Sequence, residues 1–119
     1  MPSEFAGRGN HQRGAISEAT LALHMIQKDF TVYVPAFRAT SPIDLICIHN
    51  ETQDVVYLDS KSDKQRIVKG RSNPSRIHRV RTQAQKKLGV YIAYVTRRGA
   101  ISFSPGLPKH LKELMDADF

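Results

Sequence analysis

The pattern of apolar residues predicts a single α/β domain in which helices flank a central β-sheet. Three observations carry this. A length of 119 residues is that of one domain, long enough to bury roughly two-thirds of the surface its unfolded form exposes. Apolar, aromatic and charged shares of 40%, 8% and 24% match ordinary globular usage and argue against a disordered or fibrous chain. Helical spacings alternate with short β-branched runs in the order α-β-β-β-α-β-β-α, with no internal repeat, low-complexity tract or glycine-rich phosphate loop.

Residues 1–13 hold Gly7, Arg8, Gly9 and Arg13 and few apolar groups, which reads as a flexible basic arm. From Ser17 to Asp29, Ala19, Leu21, Ala22, Leu23, Met25 and Ile26 recur at helical spacing, so a first helix carries Glu18. Phe30 to Val34 is β-branched and aromatic and stops at Pro35, as a strand does. Ile43 to Ile48 is apolar on both faces, as in an interior strand, with Asp44 out of place near its start. A turn at Asn50–Gln53 leads to a third strand, Asp54 to Lys61, which changes abruptly from Val55-Val56-Tyr57-Leu58 to Asp59-Ser60-Lys61.

Residues 62–75 are polar, with Gly70, Asn73 and Pro74, and read as a long loop. Ile77, Val80, Ala84 and Leu88 lie three or four apart and predict a second amphipathic helix ended by Gly89. Val90 to Val95 and Ala100 to Phe103 are a fourth and a fifth strand around the turn Arg97-Arg98-Gly99, and Pro108 suits the first turn of a last helix reaching about Met115.

Charge is distributed unevenly. The net charge is +7, and residues 64–112 contain no acid while holding 13 of the 18 lysines and arginines. Interleaved Ser72, Asn73, Ser75, Thr82, Gln83 and Gln85 add neutral groups of the sort that bind phosphates. A polyanion is the expected partner, nucleic acid before anionic lipid, because no amphipathic Trp/Phe/Leu-rich helix is present to lie in a membrane interface. No apolar run approaches the ~20 residues of a membrane span, and the N-terminus lacks the apolar core of a secretory signal, so an intracellular protein is expected. The single cysteine, Cys47, excludes an intramolecular disulfide and any Cys-pair zinc site. The histidines, His11, His24, His49, His78 and His110, have no spacing suited to zinc.

Residues two apart on a strand share a face, so Asp59 and Lys61 lie side by side while Ser60 turns away. If the second and third strands pair through the Asn50–Gln53 turn, positions that sum to about 103 face each other and Asp44 comes near Asp59. Two converging acids beside a lysine are tolerable with a cation between them, and Mg²⁺ is the obvious occupant, with Mn²⁺ a possible substitute. The bland alternative is a strand-end salt bridge between Asp59 and Lys61 with Asp44 capping a turn.

Glu18 on the first helix, Pro42-Ile43-Asp44-Leu45 and then Asp59-Ser60-Lys61, in α-β-β-β-α-β order, resemble the PD-(D/E)XK nuclease superfamily. Gly14-Ala15-Ile16-Ser17-Glu18, Val32-Tyr33-Val34-Pro35 and Asp44-Leu45-Ile46 are most similar to small phage and cyanobacterial homing endonucleases, and secondarily to archaeal-type Holliday junction resolvases. The resemblance covers about residues 14–95. Ile43 separates Pro42 from Asp44 where the motif has proline and acid adjacent.

The resemblance implies a mixed sheet with a restriction-endonuclease-like α-β-β-β-α-β core, and a Mg²⁺-dependent endonuclease acting on double-stranded DNA inside a bacterial or phage-infected cell. It implies Asp44 and Asp59 as metal ligands with the backbone carbonyl of Ser60. Glu18 would be a further ligand or a hydrogen-bond partner one layer out, and Lys61 would position the attacking water or neutralise charge on the phosphate. Arg66, Lys69, Arg71, Arg76, Arg79, Arg81, Lys86, Arg97 and Arg98 are the candidate DNA contacts, and Gln83 borders the apolar stripe as either a site residue or a surface one. Cutting two strands with one site per protomer calls for a homodimer or higher homo-oligomer. A structure-selective, resolvase-like enzyme and a catalytically idle DNA-binding module are the alternatives.

Overall fold

The computed structural model describes residues 2–37, 40–62, 65–66, 75–76 and 80–117. The elements are α1 (Pro2–Gln27), β1 (Phe30–Tyr33), β2 (Leu45–His49), β3 (Val55–Ser62), β4 (Gln65–Arg66), β5 (Ser75–Arg76), α2 (Gln83–Leu88), β6 (Val90–Val95), β7 (Ile101–Ser104) and α3 (Lys109–Asp116). A five-stranded mixed sheet in the order β1-β2-β3-β6-β7 forms the centre, with β3 and β6 parallel and the other pairs antiparallel. The predicted α/β class and mixed sheet are therefore what the chain adopts.

The β2–β3 register follows the sum rule, with Leu45 opposite Leu58 and Cys47 opposite Val56. Alternation from that register puts Leu45, Cys47, Val56 and Leu58 on one face, where Leu21 and Met25 of α1 and Leu111 of α3 complete the core with Phe30, Ala93 and Val95. Tyr57, Asp59 and Lys61 take the other face, in register with Val90, Ile92 and Tyr94 of the parallel neighbour. The parallel pair needs a crossover. Everything between Ser62 and Val90, including nine of the 18 lysines and arginines, belongs to it.

Three expectations are corrected. Residues 2–13 are helical backbone within α1 rather than an irregular arm; Pro2 fits a first turn, and extending a helix from a packed nucleus costs little per residue. The 62–75 stretch is not all loop, since β4 and β5 form a two-stranded ribbon with Gln65 opposite Arg76 and Arg66 opposite Ser75. The second helix is short and is not built on the apolar stripe: Val80 is 81% exposed and Leu88 47%, and the buried residue of α2 is Gln85. Thr82, extended at φ −70° and ψ 166°, starts α2 by a capping box in which its hydroxyl accepts from the Gln85 N–H and the Gln85 side chain accepts from the Thr82 N–H. Gly89, left-handed at φ 74°, ends it as expected.

Candidate active site

Asp44 stands where β2 begins, and its side chain extends the ladder. Its N–H donates to the Leu58 carbonyl at 2.8 Å, and its Oδ2 accepts from the Ser60 N–H at 2.8 Å. The carboxylate thus takes the place of the strand backbone one step past Leu45, directly across from Asp59. Asp59 is 93% buried, being 7% exposed. Its Oδ2 accepts from Gln85 Nε2 at 2.8 Å, and its Oδ1 lies 3.6 Å from Lys61 Nζ. The side-by-side placement of Asp59 and Lys61, and the convergence of Asp44 on them, are as the sequence predicts.

Burial, and then the hydrogen bond shared with Asp59, push the Asp44 carboxyl up from 3.8 to about 6. The Ser60 N–H pulls the other way, while the charges of Asp59 and Glu18 add to the rise. The charge of Glu18 therefore reaches Asp44. It is delivered by α1, which Ser17 pins to the end of β3 through a 2.8 Å hydroxyl contact with Ser62.

Gln85 is the site residue that apolar periodicity misses. Gln83, the expected candidate, is exposed, whereas Gln85 is buried and its Nε2 donates to Asp59 and, at 3.1 Å, to the Pro42 carbonyl. Its signature is polar: Thr82-x-x-Gln85 is a capping-box pattern, and that box turns residue 85 inward.

Among the described residues no three His, Cys, Asp or Glu side chains are grouped closely enough to hold a metal unaided. His49 is buried, its Nδ1 accepting from the Glu51 and Thr52 N–H groups and its ring edge-to-face with Phe30 at 4.9 Å. Burial, then the charge of Lys28, lowers the His24 pKa. The buried Cys47 thiol is pushed up to about 12 and is inert.

Of the basic candidates, Arg97 and Arg98 are exposed in the turn after β6. Because Val95 is in register with Ser62, that turn lies at the same end of the sheet as Lys61. Lys86 is exposed on α2, and Arg66 and Arg76 lie on the ribbon that follows β3. Arg81 is half-buried and donates to the Val90 carbonyl at 3.3 Å. Lys69, Arg71 and Arg79 fall outside the described residues. Comparison with family models, curated proteins and solved structures finds no match.

Proposed function

We propose that the chain is a Mg²⁺-dependent endonuclease that hydrolyses phosphodiester bonds in double-stranded DNA, of the PD-(D/E)XK type and of the homing kind. One observation carries the reading: Asp44 and Asp59 face each other at a strand end, with Asp44 raised to about 6 first by burial and then by its contact with Asp59, and with Lys61 beside them. A structural ion pair needs no second carboxylate, and a strained acid pair in a basic surrounding is a mark of function.

The donor set suits Mg²⁺. With its carboxyl raised to about 6, Asp44 is mostly ionised at neutral pH, where a divalent cation between the two carboxylates would offset their repulsion. Mg²⁺ takes one or two carboxylates and leaves its other positions to carbonyl, water and phosphate oxygens, so the lack of a third acid in the group fits it. Asp44, Asp59 and the Ser60 carbonyl would hold the ion, with Mn²⁺ a substitute. Bound there, it would supply Lewis-acid stabilisation of charge on the phosphate.

The chain's own residues do the rest. Lys61, with 41% of its side chain exposed, reaches solvent and can orient a water or meet the phosphate charge. Gln85 fixes the rotamer of Asp59. The acid-free stretch 64–112, with Lys86 on α2 and Arg97 and Arg98 in the turn after β6, would offer the duplex backbone positive charge. No helix among the described residues is long and apolar enough to cross a membrane, and a lone buried thiol agrees with the reducing cell interior where we place the protein.

The test is incubation with genomic DNA of the protein's own source and Mg²⁺, followed by mapping of the ends. Cleavage at discrete sites is expected. Preference for a four-way junction over linear duplex would favour a resolvase-like enzyme, and binding without cutting, indifferent to metal, would leave a DNA-binding module.

A further inference from the structure

The geometry points to Phe37 as a wedge that stacks on a nucleotide base of DNA bound at the acid pair. On the nuclease reading above, on which this rests, the ring meets the bases where Lys61 meets the phosphates. β1 ends at Tyr33, opposite Ile46, and β2 starts at Leu45, opposite Leu58. The chain therefore leaves β1 at the sheet end where Asp44, Asp59 and Lys61 lie, and the connection 34–43 returns it to Asp44. Tyr33 and Val34 are exposed, and the Phe37 ring is 82% exposed. A lone exposed apolar side chain is ordinary. What sets Phe37 apart is its place in the connection that delivers the acid.

That place is fixed by local hydrogen bonds. The Phe37 carbonyl accepts from the N–H and from the hydroxyl of Thr40, at 3.3 and 3.1 Å. The Ser41 hydroxyl accepts from the Ile43 N–H at 3.1 Å and donates to the Ile43 carbonyl at 3.0 Å, while the Pro42 carbonyl takes its bond from Gln85. Bonds of short range therefore hold Phe37 at one end of the connection and Asp44 at the other. A ring so anchored and still in solvent is set to meet something that approaches the acids from outside.

Charge and shape identify the occupant. The chain carries +7, Lys61 reaches solvent at this sheet end, and Arg38 follows Phe37 in sequence, so a polyanion is attracted here and a second copy repelled. One ring on a turn covers far less than the ~800 Å² per partner of a standard protein interface, and it is not the apolar helix face that a membrane surface takes. It does fit a step between two bases, where apolar side chains wedge in and every base offers a π face whatever its identity. Such a contact adds affinity without adding a phosphate contact, which separates it from the lysines and arginines.

The chain has no tryptophan, so Phe37→Trp puts a single indole at this position and reports stacking directly. The parent, Phe37→Trp and Phe37→Ala are titrated in EDTA with a labelled mixed-sequence duplex of about 30 base pairs, from about 50 mM salt upward, by DNA anisotropy and indole emission. Bound DNA should quench the indole by about half or more, and Phe37→Ala should bind about 10-fold more weakly than the parent. The slope of log affinity against log salt should be the same for both, since no phosphate contact is lost. Both variants should unfold in urea at the parent's midpoint, because the ring stands in solvent. If the parent binds but the indole stays unquenched, or Phe37→Ala binds within about twofold of the parent, the inference is overturned and the DNA reading stands. A parent that binds no duplex at the lowest salt overturns both.

Discussion

Gln85 Nε2 donates to Asp59 Oδ2 at 2.8 Å, and because Gln85 Oε1 already accepts from the Thr82 N–H, the amide cannot flip without losing its bonds. With a third bond to the Pro42 carbonyl, one side chain ties the start of α2 to Asp59 and to the loop that delivers Asp44.

Gln85→Leu, which keeps the volume and removes every donor, should slow single-turnover cleavage by about 10- to 100-fold through loss of positioning. DNA affinity should stay within about twofold. Stability should fall by about 1–3 kcal/mol, since the cap and two buried acceptors lose a partner. Gln83→Leu, on the exposed side of the same helix, should change neither, as chemical denaturation and cleavage assays can check.

Asp44 predicts a pH dependence of the metal-free fold. Its folded pKa, about 6, lies above its ordinary 3.8, so the stability it contributes is fully present below pH 3.8 and is lost as pH rises through 6. The group is half-buried, and after allowance for solvent screening the loss is about 1 kcal/mol. Asn at this position can still accept from the Ser60 N–H, and it carries no charge. Relative to the parent, Asp44→Asn should therefore gain about 1 kcal/mol between pH 4 and pH 8 in urea melts with EDTA, while cleaving no DNA and binding it as well or better. A stability difference flat across that range would show that Asp44 is not under strain.

The β2–β3 hairpin shows what the sequence makes legible. Turn residues at 50–53 set the register, and register with alternation brings Asp44, Asp59 and Lys61 together without knowledge of any tertiary contact. The second helix shows the opposite. Ile77, Val80, Ala84 and Leu88 obey helical spacing, yet spacing does not say which face the rest of the molecule covers. Here the capping box and the bonds of a buried amide outweigh the burial of Ala84 and Leu88.

Salt should separate backbone tracking from other binding. Each phosphate contact adds about −0.9 to the slope of log affinity against log salt. Arg97→Ala with Arg98→Ala should therefore flatten that slope by between one and two such steps in fluorescence anisotropy titrations with duplex DNA. An unchanged slope would move the duplex off this end of the sheet.

The central claim, that the acid pair beside Lys61 is a hydrolytic site and not a strand-end ion pair, is tested most directly by single-turnover cleavage with Lys61→Ala. An exposed pair would be worth about 1 kcal/mol or less and its loss would leave chemistry alone. A lysine that orients the attacking water predicts unchanged folding and DNA affinity with cleavage slower by about 10²–10⁴. Lys61→Arg should not restore the rate, since its planar fork cannot place a donor where the ammonium sat. A Lys61→Ala rate within about threefold of the parent would contradict the account.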